Sequence, residues 1–299
     1  MLDPFQSSVL QVLAANRSTD SFVAGGAALN RDGPRQSRDI DIFHATVALI
    51  DAAVARDLDA LRRVGWQVQR DRETSTLREW TVFDSGGQAT KIQWTRDTSW
   101  LFFPCVADPE FGFMLSFEDL AVNKMSAAAD RGRRRDYHDL AALDLLGAHP
   151  WLLALAVMGK DAELSPEAVL ERALRLLRDA GDDDEDPEYE GPSLSWAAVR
   201  ARMTRRLRED LATLRGFRWL EWAGALPLDG LTGRMALAIT PADLVACTKG
   251  RATPTGTWPT ILAASSDMLR HARHPSLAGV TLDLSGYEAA WLAERAQPP

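Results

Sequence analysis

The most constraining stretch of the sequence is Arg38–Phe43, which reads RDIDIF. Apolar and acidic residues alternate in it, so Ile40 and Ile42 should point to one face of a β-strand and Asp39 and Asp41 to the other. The apolar face predicts packing on a core, which leaves the acidic face open. Two neighbouring carboxylates suit one or two hard divalent cations, as in enzymes that transfer phosphoryl groups.

The segment before this strand predicts a phosphate-binding turn. Ser21–Gly25 reads as a short strand that runs into Gly25-Gly26, and Ala27–Asn30 as the start of a short helix. Glycines at such a junction let backbone N–H groups approach phosphate oxygens. Each feature alone is common, but twelve residues separate the glycines from Asp39, and this order favours a nucleotide site.

The remaining pattern up to about residue 150 predicts an α+β fold, a small mixed sheet flanked by helices. The spacing of apolar residues and the turn signals give the following elements: a helix over Thr46–Arg63, strands over Trp66–Gln69, Leu77–Phe83 and Ala89–Trp94, and helices over Ser116–Asp130 and Asp136–Leu146.

An acidic stretch, Gly181–Pro192 (GDDDEDPEYEGP), divides the chain. Such a run repels itself and cannot join a core, so it predicts a loop or linker. We therefore expect a catalytic domain with a helical extension over 1–180, a linker over 181–192, and a mostly helical domain over 193–299. The helices expected in that last domain are Trp196–Leu214, Pro241–Lys249, Trp258–His271 and Tyr287–Ala296.

The composition narrows the class of protein. The 34 basic and 42 acidic residues among 299 give a net charge of −8, which argues against a protein that coats nucleic acid non-specifically. Cys105 and Cys247 form no metal-binding or disulfide pattern, which favours a reducing cytoplasm. The sequence shows no signal-peptide pattern and no apolar run of bilayer length, so we expect no membrane association.

Two positions in the later helices have two interpretations each. Lys124 is either a surface lysine lying over small alanines or a cation directed at substrate phosphates. Asp136, at the start of its helix, either stabilises the helix N-terminus or serves as a carboxylate near Lys124. We favour the functional interpretation for both residues, and we expect Asp139 to form a structural contact elsewhere.

Two motifs carry a resemblance to a known family. VAGGAALN…RQSRDIDIF resembles the opening motif of nucleotidyltransferases of the DNA polymerase β superfamily, and more narrowly that of the AbiEii/AbiGii-type toxins. FEDLAVNKMSAAADRGRRRDYHDL, over 117–140, is similar to the helical motif of the same toxins. No resemblance extends beyond about residue 150.

The resemblance implies that residues 1–180 form a nucleotidyltransferase-like catalytic domain. It also implies which residues form the active site and which reaction they catalyse. Mg²⁺ (or Mn²⁺) would be held by Asp39 and Asp41, and a nucleoside monophosphate would pass from an NTP to an acceptor hydroxyl. The catalytic set would be Asp39, Asp41, Lys124 and Asp136, and the nucleotide-binding set Gly25, Gly26, Arg35, Ser37 and Lys124.

The resemblance also implies partners. The chain would be the toxin of a toxin–antitoxin or phage-defence pair, with a cognate antitoxin and an RNA acceptor such as the 3′ end of tRNA. The arginines between the two helices would track RNA: Arg131, Arg133, Arg134 and Arg135.

One departure and two alternatives stay open. Related enzymes often carry a third carboxylate where this chain has Gln93, which leaves the number of metal ions open, with Asp136 or Glu79 as substitutes. The alternatives are a small-molecule nucleotidyltransferase of the aminoglycoside-modifying kind and a catalytically silent fold that only binds nucleotide or a partner.

Overall fold

A seven-stranded mixed sheet organises the N-terminal half of the chain. The structure is a computed structural model that describes residues 2–31, 33, 35–96, 100–180 and 195–256. Its strands are β1 (Ser21–Ala24), β2 (Asp39–His44), β3 (Gln67–Glu73), β4 (Leu77–Phe83), β5 (Ala89–Arg96), β6 (Val106–Asp108) and β7 (Gly112–Met114). They lie in the order β3-β4-β5-β2-β1-β7-β6, with β2–β5 and β1–β7 parallel and the other pairs antiparallel. The predicted α+β class is confirmed; the three-residue strands β6 and β7 were not predicted.

Among the described residues, eight α-helices surround and extend this sheet. They are α1 (Pro4–Leu13), α2 (Gly25–Leu29), α3 (Val47–Arg63), α4 (Phe117–Asp130), α5 (Arg134–Leu145), α6 (Pro150–Lys160), α7 (Pro166–Asp179) and α8 (Trp196–Gly216). Helix α3 contacts β2 to β5, and α1 also reaches β5, so these two helices cover one face of the sheet. The other face is bounded by α4, which packs against α5, α6 and α7.

Strand β2 shows why one sheet face is open. Ile40 and Ile42 are fully buried, whereas Asp39, Asp41 and Phe43 on the opposite face are only half-buried. Each buried isoleucine contributes roughly 1.5–3 kcal/mol to folding. The apolar face therefore fixes the orientation of the strand, and the two aspartates must face outward.

The described C-terminal residues pack on the helical extension. Helix α8 lies against α5, α6 and α7, and Arg234 forms a buried ion pair with Glu118 of α4 at 2.8 Å. The strands β8 (Ala225–Asp229) and β9 (Cys247–Arg251) pair as an antiparallel hairpin that contacts α6. The predicted linker over 181–192 lies entirely outside the described residues, so this division of the chain stays a prediction.

The sequence predicts three helices beyond residue 240. The predicted helix over Pro241–Lys249 is confirmed only as a short 3₁₀ helix over Pro241–Ala246, and it is wrong for the residues after Ala246, which extend into β9. The short apolar run fits both a turn and a helix, and pairing with β8 decides the outcome. The predicted helices Trp258–His271 and Tyr287–Ala296 lie outside the described residues.

In the described part of the chain, no single helix combines the length and the apolar character that crossing a bilayer requires. Helices α5 and α6 meet these criteria only when taken together, and they meet at an angle of 117°.

Candidate active site

The acidic face of β2 lines a cleft of about 770 Å³. Asp39, Asp41 and Phe43 line it from the strand, and Gly25 and Gly26 line it from the start of α2. Helix α4 supplies a facing wall. The strand face, the glycine turn and α4, which the sequence analysis singled out separately, therefore meet at one cavity.

Both glycines are required by close packing. Gly25 has a φ of +67°, and a Cβ at this position would lie 1.8 Å from Oδ2 of Asp41. A Cβ on Gly26 would lie 2.7 Å from Nη2 of Arg35 and 2.9 Å from Oγ of Ser37. Only glycine lets the backbone approach these side chains so closely. The turn and the carboxylate strand are therefore packed directly against each other.

The two aspartates form a partly neutralised pair. Asp39 lies 3.3 Å from Nη1 of Arg135. Burial and the charge of Asp39 raise the pKa of Asp41 to about 6, although Lys124, Arg135 and Arg131 act in the opposite direction. Two carboxylates that repel each other in a partly dry site favour a cation between them.

The donor set fits Mg²⁺ or Mn²⁺ that binds together with a triphosphate. No cluster of three or more His, Cys, Asp or Glu side chains able to hold a metal occurs among the described residues. Asp39 and Asp41 provide hard oxygen ligands, and Mg²⁺ typically takes one or two carboxylates and completes its shell with substrate phosphates and water.

Gln93 lies beside Asp41 in the parallel register of β2 and β5. Its Nε2 donates a hydrogen bond of 2.8 Å to Oε2 of Glu79, which is opposite it on β4. Glu79 also pairs with Lys91 at 3.1 Å. The side chain next to Asp41 is thus a neutral amide, and Glu79 is already engaged by two neighbours.

Lys124 points inward from α4. It lines the cleft with only 7% of its side chain exposed, and its Nζ lies 2.6 Å from Oδ2 of Asp139. Arg35 holds the other oxygen of Asp139 at 2.8 Å, and Asn30 donates to it as well. Burial alone would raise the pKa of Asp139, but the charges of Arg35 and Lys124 hold that pKa well below its usual value. Asp139 therefore anchors two cations as a permanent anion.

Asp136 does not occupy the position expected for it. It is fully buried, accepts two hydrogen bonds of 3.0 Å from Arg131, and accepts the backbone N–H of Arg133 at 3.3 Å. The carboxylate that contacts Lys124 is Asp139, one helical turn later. The signal was in the sequence: Asp136 stands three residues after the N-cap Arg133, which is typical of a capping interaction.

The other predicted residues fall into two groups. Ser37 is buried and donates to the carbonyl of Asp39 at 2.9 Å, whereas Arg131 and Arg135 line the cleft. Arg133 is exposed, but Arg134 is only 5% exposed and stacks over the ring of Trp196 at 5.2 Å. The expectation that all four arginines face RNA is therefore wrong for Arg134, because α8 covers it.

Three basic residues that line the cleft were missed. Arg72 enters from β3, where a register shift occurs between Arg70 and Arg72, and Lys160 and Arg172 enter from α6 and α7. Lys160 is held by Asp119 at 2.7 Å and Asn123 at 2.8 Å. No motif marks these residues, because only the packing of the helical extension against α4 brings two of them to the cavity.

Comparisons with known proteins bear on the fold. No protein-family profile matches the chain. An uncharacterized protein of Aquifex aeolicus (strain VF5), aq_aa25, is 26% identical over 210 residues, which cover 67% of this chain and 93% of that protein.

Among solved structures, MenT4, a nucleotidyltransferase toxin of Mycobacterium tuberculosis H37Rv, superposes with a TM-score of 0.51 at 17% identity, covering 74% of this chain and 85% of the other. A structure from H. pylori assigned as a nucleotidyltransferase covers 72% of this chain and 96% of the other at 14% identity, but its TM-score of 0.42 is too low to support a conclusion. With its sheet order, its glycine turn and its outward-facing aspartates, the chain has the nucleotidyltransferase fold.

Proposed function

We propose that this protein is an NTP-dependent nucleotidyltransferase. The observation that supports this proposal most strongly is a contact between two elements. The backbone of Gly25 lies directly against Asp41, in a cleft that Asp39 and Lys124 also line. This places backbone donors, two carboxylates and a cation around one space large enough for a nucleotide. A binding-only protein would not need outward carboxylates that repel each other.

Each residue has a distinct task in the reaction. Asp39 and Asp41 would hold a Mg²⁺ ion, which would neutralise phosphate charge when bound. The amides of Gly25 and Gly26 approach phosphate oxygens, and Lys124 supplies a positive charge fixed in place by Asp139. The acceptor oxygen forms a bond to the α-phosphorus and releases its proton to solvent, while the bond to the pyrophosphate oxygen breaks.

We further propose an RNA acceptor and a toxin role. The cleft mouth carries Arg131 and Arg135 in a chain whose net charge is −8, so basic residues are concentrated where an acceptor would enter. The structurally similar MenT4 is named a nucleotidyltransferase toxin. A cognate antitoxin and the 3′ end of tRNA are the partner and acceptor of this proposal. A cytoplasmic location agrees with the free thiols of Cys105 and Cys247.

Label transfer tests the proposal. The purified protein is incubated with Mg²⁺, total RNA and each NTP in turn, labelled at the α- or the γ-phosphate. We expect α-label in RNA with equivalent release of pyrophosphate, and no γ-label. Transfer of γ-label would indicate a kinase, and α-label recovered only in small hydroxylated compounds would indicate a small-molecule transferase. No transfer from any NTP to either class of acceptor would contradict the proposal.

A further inference from the structure

The basic residues of the cleft differ in how they are neutralised. Within the described ranges, five of them contact carboxylates: Arg35 and Lys124 contact Asp139, Arg131 contacts Asp136, Arg135 contacts Asp39, and Lys160 contacts Asp119. Two further basic residues, Arg72 and Arg172, have no such partner there. Arg72 is exposed and can be hydrated, so its charge needs no protein partner. Arg172 is half-buried and poses a different problem.

One donor of the Arg172 guanidinium, its Nε, is shielded from solvent and has no hydrogen-bond partner among the described residues. No described residue forms an ion pair with this guanidinium. Five other arginines among the described residues also have a shielded Nε, but each has a compensating contact: Arg17 with Asp57, Arg234 with Glu118, Arg202 and Arg206 with Asp144, and Arg134 with the ring of Trp196. A shielded cationic donor without a partner among the described residues is costly, which points to a partner outside them.

The position of Arg172 directs it to the substrate side of α4. It lies one turn before Leu176, and a Cβ on Gly132 would lie 2.5 Å from the Cβ of Leu176. Arg172 and Arg131 line the same cleft. The guanidinium of Arg131 is already held by both oxygens of Asp136. Among the basic residues described on this wall, Arg172 is therefore the cation without a carboxylate partner.

We propose that Arg172 binds a phosphoryl oxygen of the substrate and is the contribution of the helical extension to the site. This inference rests on the proposed function, because it assumes a substrate that carries phosphate. A guanidinium can give two parallel hydrogen bonds to a phosphate, which suits a position with space but no carboxylate. The phosphate belongs to either the triphosphate of the NTP or the backbone of the acceptor, and the experiment separates these sources.

The test compares Arg172→Gln with Arg175→Gln. Arg175 lies on the same helix, is exposed and does not line the cleft, so both variants lose one positive charge. Binding is measured by calorimetry for each NTP with Mg²⁺, and by fluorescence anisotropy for a single-stranded RNA oligonucleotide over a range of salt. We expect Arg172→Gln to weaken one of these ligands about 10- to 100-fold and Arg175→Gln to change neither by more than about twofold. Arg172→Lys, which keeps a charge without the paired donors, should fall between wild type and Arg172→Gln.

The outcomes are distinguishable. Weaker NTP binding alone assigns Arg172 to the triphosphate, and weaker RNA binding with a flatter salt dependence assigns it to the acceptor. Equal effects of Arg172→Gln and Arg175→Gln on both ligands would overturn the assignment. The melting temperature should not fall clearly in Arg172→Gln, because no described residue forms a hydrogen bond with its Nε or an ion pair with it; a clear fall would show a structural role instead. Wild-type protein that binds these ligands but transfers no label would refute the proposed function and leave Arg172 assigned.

Discussion

The two walls of the cleft differ in how their residues are positioned. On the sheet wall, Asp39 and Asp41 face the cleft because the isoleucines between and after them are buried. On the helical wall, orientation depends on ion pairs between helices and loops, as for Lys124 with Asp139 of α5. A strand with period two fixes its open face locally, whereas a helix needs a partner to do so. Sequence reasoning is therefore more secure for the sheet wall than for the helical wall.

The strongest test of this contrast removes charge from the sheet wall alone. Asp39→Asn and Asp41→Asn should each lower transferase activity by on the order of 10³-fold, because metal and phosphate charge would no longer be balanced. The melting temperature should stay within a few degrees or rise, since burial and the charge of Asp39, which raise the pKa of Asp41, both oppose its charged form. Steady-state kinetics and thermal unfolding on the same preparations measure both. Loss of activity that merely follows loss of fold would contradict the local assignment.

On the helical wall, the same substitution should instead affect stability. Asp139→Asn leaves Lys124 and Arg35 buried without a counter-charge, so the free energy of unfolding should fall by about 3–5 kcal/mol. Asp136→Asn still accepts the N–H of Arg133, and its partner Arg131 is 43% exposed and can be hydrated, so the loss should be about 1 kcal/mol. Urea unfolding at pH 7 gives both values. Equal losses would show that Asp139 is not the anchor of this wall.

Neighbouring arginines at the helical wall should separate into RNA contact and core support. Replacing Arg133 and Arg135 together by Gln should weaken RNA binding and lower the log–log salt slope by about 1.4–1.8, or 0.7–0.9 for each lost phosphate contact. Arg134→Gln should leave that slope unchanged and lower the melting temperature, because it removes the stacking on Trp196. An unchanged slope in the double variant would remove this turn from the RNA path.

A last prediction concerns the pH dependence of stability, which a buried carboxyl behind the helical wall should influence. Burial raises the pKa of Asp210 to about 7, although Arg206 and the N–H of Trp151 favour its charged form. The folded state therefore keeps a proton that the unfolded state releases near pH 4. The free energy of unfolding consequently falls as the pH rises from about 4 to about 7. Asp210→Asn removes that dependence. Relative to wild type, the variant should gain about 2–3 kcal/mol of stability between pH 5 and pH 8 in urea unfolding, and an unchanged difference would refute the raised pKa.

The sequence predicted the sheet wall and the glycine turn because both depend on local rules. The alternation around Ile40 and Ile42 determined the open face, and Gly25-Gly26 marked the turn. Lys124 was recognised as inward-facing only through a family resemblance, since spacing alone left it on either side of its helix.

The rest required tertiary information. Whether Asp136 or Asp139 meets Lys124 depends on how α5 is rotated against α4, and its first-turn capping contact decides this for Asp136. Arg134 is covered by α8, which lies more than 60 residues later in the chain. Arg172 reaches the cleft only because α7 packs on α4. Such contacts arise between distant segments, and no local pattern encodes them.

Metal binding directly tests whether the aspartates of the sheet wall hold the metal and the nucleotide. Electron paramagnetic resonance measures protein-bound Mn²⁺ in the presence of non-hydrolysable analogues of the four NTPs. Wild type and Asp41→Asn are compared with Asp161→Asn, which changes another carboxylate that lines the cleft. We expect wild type and Asp161→Asn to bind Mn²⁺ only when nucleotide is present. We expect Asp41→Asn to bind no Mn²⁺ under the same conditions. Equal Mn²⁺ binding in wild type and Asp41→Asn would contradict the assignment of the metal and the nucleotide to the sheet wall.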